Sequence, residues 1–173
     1  MFGLLPKLVV VEDDGSRKEL LETSAIDTYL AESLGLAPGS TAFERAEAMS
    51  VLSAFRDLED KVHTPLFLGT VEERKRGLEK AMSETVPKYL QYQERFVRGD
   101  WYFGTFGTKM TVADLKVYTL CLFIDDMLGS KNPIRVLAAE FPKLNRIIKT
   151  LEGGKAGEYA KARRDFGKFG FFL

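Results

Sequence analysis

One cysteine, one histidine and no net charge narrow what this 173-residue chain can do before any motif is read. A lone thiol, Cys121, cannot close an internal disulfide, so a reducing compartment is the simpler expectation. With His63 as the sole histidine and no His/Cys cluster at ligand spacing, no structural metal is expected. Lys and Arg together number 25, as do Asp and Glu. Without a basic excess, no nucleic-acid partner is expected. The apolar runs fall short of the roughly 20 residues a membrane-spanning helix needs, so no membrane partner is expected either. The opening residues, Met1 to Lys7, carry no charged leader and too short an apolar stretch for a signal peptide. The expected location is therefore cytoplasmic. Internal repeats and low-complexity tracts are lacking, and Gly153-Gly154-Lys155 has neither the spacing nor the following Ser or Thr of a phosphate-binding loop.

What remains is an ordinary globular composition, 45% hydrophobic and 29% charged, long enough for one domain or one domain plus a small fragment. Its densest apolar stretch is 111–127. Thr111 followed by Asp114 reads as a capping box, with the carboxylate at the positive end of the helix dipole. Behind it, Val112, Leu115, Val117, Leu120, Leu122, Phe123, Ile124 and Met127 cover nearly every azimuth of a 3.6-residue helix. A helix apolar all round is buried all round. At about 1.5–3 kcal/mol per large side chain, these contribute on the order of 10–20 kcal/mol before entropy is subtracted. Cys121, inside this helix, reads as a packed core thiol.

Before the central helix, the pattern changes once. Residues 4–11 predict a strand, and Val9-Val10-Val11 in sequence predict cover on both faces. Asp13-Asp14-Gly15-Ser16 is a turn signal, and 17–22 a returning strand, making a hairpin. Residues 23–34 predict a helix through Ala25, Ile26, Tyr29, Leu30 and Leu34, with Thr23 or Ser24 as N-cap and Gly35 as terminator. Residues 37–40 form a linker, placing a domain boundary between 1–37 and 41–173. Beyond it the chain reads as helical. Thr41 and Glu44 cap a helix running to His63, with Phe43, Ala46, Leu52, Phe55, Leu58 and Val62 inward. A long helix over 71–97 is kinked by Pro87. Shorter helices follow the central one over 134–139, 142–151 and 156–164. The tail, with Phe166, Phe169, Phe171 and Phe172, is strongly apolar and is expected to cover the valine strand or to pack on the helices.

This order of parts resembles the glutathione transferase family. Phe2-Gly3-Leu4-Leu5-Pro6 before the valine strand is similar to that family's loop ending in a cis-proline. Glu22-Thr23-Ser24-Ala25-Ile26 is similar to its acidic-or-Gln/Ser/x/Ala/Ile motif, with Thr23 where serine is usual. Thr111-Val-Ala-Asp114 is similar to its buried capping box, and Phe141-Pro142-Lys143-Leu144 to the helix start that follows. The fold class implied is mainly α: a truncated thioredoxin-like piece, β-hairpin plus helix, followed by an all-helical C-terminal domain, nearest to sigma-like members. The family places a β-α-β unit before its cis-proline. Met1 stands five residues before Pro6, and such a unit takes about 30 residues. The expectation is that this unit, with its catalytic Tyr, Ser or Cys, is not in this sequence.

The resemblance implies glutathione as the bound substrate and a small hydrophobic electrophile as its reaction partner. Leu5 and Pro6 would pair with its cysteinyl part, Glu22 would take the γ-glutamyl ammonium, and Thr23 with the helix N-terminus would take the carboxylate. A homodimer is implied, in which Asp57 reaches the partner's glutathione; for Asp57 and Asp60 the residues alone suggest a solvated face. Trp101, Tyr102 and Tyr118 either border an apolar pocket or sit in the core. The implied activity is detoxifying conjugation, impaired where the catalytic strand is missing. The alternative is a non-catalytic interaction module of the same fold.

Overall fold

A computed structural model describes residues 6–67, 69–104 and 109–164. Leu5, the loop tip at 105–108 and the phenylalanine-rich tail lie outside the described residues.

The valine run forms β1 (Lys7–Val11), which pairs antiparallel with β2 (Arg17–Leu21) in a register running from Lys7 opposite Leu21 to Val11 opposite Arg17. The turn between them closes as its residues predict. Gly15 adopts φ +80°, and the Ser16 N–H donates to Asp14 Oδ1 at 2.9 Å. The strand differs from its expectation in one respect. Leu8, Val9 and Val10 are half-buried and Val11 is 63% exposed. The helix that packs most against the hairpin is α1 (Thr23–Ser33), and one helix cannot cover both faces of a sheet.

Helix α1 ends as its sequence demands. The Gly35 N–H donates to the Glu32 carbonyl and the Leu36 N–H to the Ala31 carbonyl at 2.7 Å, a Schellman closure that needs the left-handed φ of +66° that glycine supplies at 35. Its start does not follow the prediction. The capping position is Glu22, not Thr23 or Ser24, and no side chain bonds the first-turn N–H groups.

Helix α2 (Ala42–His63) begins with the predicted box, the Glu44 N–H donating to Thr41 Oγ1 and the Thr41 N–H to Glu44 Oε2 at 3.0 Å. Its inward stripe is Ala48, Val51, Phe55, Leu58 and Val62. Phe43 and Ala46, expected inward, fall off that three-and-four spacing, and Phe43 is 77% exposed. A second box, Thr70 with Glu73, starts α3 (Val71–Lys80). The predicted Pro87 kink takes the form of a π turn over Ala81–Thr85, where the Val86 N–H reaches back five residues to the Ala81 carbonyl. Proline lacks the N–H of a regular turn and its ring crowds the carbonyl four residues before it. The wider turn resolves both, and α4 (Val86–Glu94) continues the rod.

Helix α5 (Val112–Leu128) lies against α2 and α7 (Pro142–Glu152), and Thr119 is its sole exposed residue. Val117, Leu120 and Ile124 meet Phe55 and Leu58 of α2 and Ile147 of α7 in one core. Past α5, Asn132 is fully buried and starts α6 (Pro133–Val136), accepting the Ile134 N–H at 2.8 Å. Its amide donates to the Cys121 carbonyl at 2.9 Å and to Asp125 Oδ1 at 2.8 Å. Arg135 completes this knot between Asp125 Oδ2 (2.8 Å) and Glu152 Oε1 (2.9 Å). The Gly153-Gly154 turn then leads into α8 (Lys155–Arg164).

Helix α7 opens on Pro142 with no cap of its own, and α4 supplies one. Glu94 accepts from the Lys143 N–H at 2.9 Å and the Leu144 N–H at 3.0 Å. Two orphan donors and a dipole end are thus served from another helix. Glu94→Ala is expected to lower stability by about 1–2 kcal/mol, the cost of a strong helix cap. Chemical unfolding of the variant checks this. A loss within error of zero would mean that water serves the two N–H groups equally well.

Candidate functional site

The hairpin register brings together two segments far apart in sequence. With Lys7 opposite Leu21, Pro6 and Glu22 each lie one residue beyond the paired register, at the same end of the hairpin. Pro6 is exposed at the entry of β1, and Glu22 is exposed at the exit of β2, where α1 begins. Among the described residues Glu22 is the one non-glycine with positive φ, at φ 74° and ψ 127°. Such a conformation costs on the order of 1–3 kcal/mol and persists only where surrounding structure enforces it. Its effect is to swing the chain from β2 into α1 so that the uncapped first turn opens at the strand edge. The Ile26 N–H returns to the Glu22 carbonyl at 3.0 Å, leaving the earlier N–H groups of α1 and the positive dipole end available to an anion. Thr23 is half-buried at this point and Ser24 is exposed.

Two polar contacts hold α1 in place, and a third holds the segment that follows it. Asp27 pairs with Lys116 of α5 at 2.8 Å. Arg56 Nη1 of α2 donates to Ser24 Oγ at 3.3 Å. The Val112 N–H donates to the Leu36 carbonyl at 3.0 Å. Between α1, α2 and α5 lies a groove of about 210 Å³, lined by Ser24, Asp27, Met49, Arg56, Asp57 and Lys116 among others. On the other side of α1, Leu30, Leu34, Leu36, Val112 and Leu115 line a second, more apolar groove of about 250 Å³.

Pro6, Glu22 and Thr23 therefore lie at the same end of the hairpin, while Leu5 lies outside the described residues. Asp57 is exposed and faces the α1–α2 groove; Asp60 is exposed as well. Sequence reasoning passed over Arg56. Its position one helical turn after Leu52, on the flank of the inward stripe, is the signal that marks it. Tyr102 and Tyr118 are buried in the core, and Trp101 packs against it. Burial raises the Tyr102 hydroxyl well above its ordinary range. His63 sits edge-to-face on Phe123 at 4.5 Å. Among the described residues no group of His, Cys, Asp and Glu is arranged to hold a metal, and no helix is long and apolar enough to cross a membrane.

Cys121 is fully buried, and burial pushes its thiol up to about 12. The native protein therefore carries no thiolate at neutral pH. A haloacetamide at pH 8 is expected to leave Cys121 unmodified in the native protein and to label it on unfolding, as mass spectrometry would read. The linkage has a definite sign. Because the folded value is raised, this group's stabilising contribution is whole below the unfolded thiol range and is lost as pH rises toward 12.

Residues 56–156 match the family model for the glutathione S-transferase C-terminal domain. No curated protein sequence matches the chain. Among solved structures, a sigma-class GST from Fasciola hepatica superposes with a TM-score of 0.73 at 23% identity, over 93% of this chain and 74% of that one. A Nu-class GST from Haemonchus contortus gives 0.65 at 26% identity, over 94% and 74%. The monomeric Na-GST-3 of Necator americanus, a glutathione S-transferase, gives 0.71 at 23% identity, over 97% and 78%.

Proposed function

The chain belongs to the glutathione S-transferase family, and from that premise we propose that it binds glutathione along the edge where β1 meets the start of α1. The observation that carries this reading is the strained Glu22. The conformation turns the chain from β2 into α1 with a glutamate where glycine would carry no strain, and backbone strain of this kind collects where a ligand is held. The first-turn N–H groups of α1 and the Thr23 hydroxyl suit the γ-glutamyl carboxylate. The Glu22 carboxylate suits the ammonium beside it. Leu5 and Pro6 would offer backbone groups to the cysteinyl part. In a homodimer, Asp57 would extend toward the neighbouring subunit's glutathione. Cytoplasmic detoxification is the setting such chemistry fits.

Conjugation is attack of the glutathione thiolate on an electrophile, with the sulfur forming the new bond and the leaving group departing. It needs the thiol pKa lowered by a donor or cation at the sulfur. In this reading the hydroxyls described at this edge, Thr23 and Ser24, serve the γ-glutamyl end, and neither is assigned to the cysteinyl end. We therefore expect this chain to bind glutathione better than it activates it.

Two measurements test the reading together. Glu22→Gly, which relieves the strain, is expected to match or exceed the parent in thermal stability while losing retention on immobilised glutathione. The parent chain should be retained, yet conjugate a nitroaryl chloride at a rate close to background. A parent that passes through the resin unretained sinks the binding reading. Turnover at an ordinary enzyme rate of about 10 s⁻¹ would overturn the expectation of weak activation.

A further inference from the structure

The hairpin has two outer edges, and they are built differently. Among the described residues its sheet holds β1 and β2 alone, so each strand pairs on one side only. β2 carries Arg17, Lys18 and Glu19 in succession, all exposed. Charges of this kind, lysine above all, discourage a further strand. β1 carries Leu8, Val9, Val10 and Val11 in succession, and its sole charge, Lys7, is taken up by Glu19 at 2.7 Å. β1 holds no proline, and its unbroken register with β2 contains no bulge. The usual defences of an edge strand are therefore lacking on β1.

The β1 edge is also complementary to itself. A second β1 run antiparallel about a two-fold axis at Val9 sets Leu8 opposite Val10, Val9 opposite its own counterpart and Lys7 opposite Val11. No two like charges face each other. Val11, 63% exposed, gains cover from the methylene stem of the second copy's Lys7. Shifting the axis to Leu8 or Val10 would pair only the middle or end of each strand and leave apolar residues over, so Val9 gives the longest overlap.

We propose that the outer edge of β1 pairs antiparallel with the β1 edge of a second copy of this chain, with the two-fold axis at Val9, joining two hairpins into one four-stranded sheet. A strand of five residues is small beside the roughly 800 Å² per partner of a standard interface, so the association is weak and reversible. It is independent of the glutathione reading, because neither Glu22 nor Thr23 takes part. It is also a contact apart from any through which Asp57, on α2, would reach a neighbour's glutathione.

The test places a thiol at the axis of the full chain. In Val9→Cys the paired copies bring the two introduced sulfurs within disulfide reach. In Val10→Cys they stand two residues out of register and beyond that reach. Diamide is the oxidant: each crosslink forms one S–S bond, and the two electrons and two protons pass to the diamide. Cys121 is fully buried with its thiol pushed up to about 12, so it does not compete. Non-reducing electrophoresis should show Val9→Cys forming a covalent dimer about tenfold faster or more than Val10→Cys. Adding Val11→Lys, which sets a lysine opposite the second copy's Lys7, should slow the crosslink several-fold. Adding Lys7→Glu to that pair should restore it. Thermal midpoints run alongside show that each variant is folded. Equal rates for the two cysteine variants, no covalent dimer from folded Val9→Cys, or a rate unmoved by Val11→Lys would overturn the pairing. A strand from another segment or another protein on this edge would give the second of these results.

Discussion

Asp114→Ala is expected to destabilise the protein by about 3–5 kcal/mol, the cost of breaking a buried charged network. The carboxylate is fully buried and accepts three hydrogen bonds. Oδ2 takes the Thr111 N–H at 2.7 Å and the Thr111 hydroxyl at 2.9 Å, and Oδ1 takes the Tyr102 N–H at 2.9 Å. One side chain therefore closes the start of α5 and pins the loop that delivers Tyr102 to Phe55, edge-to-face at 5.8 Å. Burial pushes the Asp114 carboxyl up, and the three donors pull against that shift. Alanine leaves all three donors buried without an acceptor, at about 1–3 kcal/mol for each one left unmet, and opens a void beside the helix. In a chain of this size each kcal/mol lowers the unfolding midpoint by about 2–4 °C, so calorimetric scanning should read a fall on the order of 10 °C. Asp114→Asn keeps the volume and one good acceptor, and should lose about half as much. Equal losses from both variants would assign the effect to the negative charge alone, and a loss below about 1 kcal/mol from alanine would show that the network has no such weight.

Asn132→Ala is expected to cost about 2–4 kcal/mol. Its side chain does three things at once. It caps α6 through the Ile134 N–H, it gives the Cys121 carbonyl in the middle of α5 a second donor, and it steadies Asp125 against Arg135. Loss of the cap alone is worth about 1 kcal/mol, and removing the buried amide leaves a void and takes one donor each from the Cys121 carbonyl and Asp125. Arg135 remains bound to Glu152 and Asp125, so the ion pairs should survive. Urea unfolding should therefore show a lower midpoint with an unchanged slope. An unchanged midpoint would show that water replaces the amide at no cost.

Much of this architecture was legible because its signals are local. Thr41 with Glu44, Thr111 with Asp114, Asp14-Gly15 and Gly35 each fix a boundary within four residues. Apolar spacing then identifies α5 and α7 without help from the rest of the chain. Signals that depend on partners were harder. Phe43 looked inward by type, but the stripe of α2 is set by what α5 presents to it. The valine strand was read as doubly covered, since composition reports how apolar a strand is and not which layers are there to cover it. Glu94 capping α7 from another helix, and Asn132 joining α5 to α6, have no short-range pattern. At the candidate site, Glu22 and Thr23 stood out by resemblance. The positive φ of Glu22 did not, because nothing in a glutamate marks it for that region. Arg56 became visible only once α1 was laid beside α2.

Glutathione is expected to bind where the strand edge meets the start of α1. Titration calorimetry of the full chain with glutathione tests this most directly, run beside the double variant Glu22→Ala, Thr23→Val. The parent is expected to bind saturably, one to one, which makes the double variant the informative partner. Loss of that binding is expected in the double variant, whose thermal midpoint stays close to the parent's. Absence of saturable heat from the parent at millimolar glutathione, or equal binding by both chains, would contradict it.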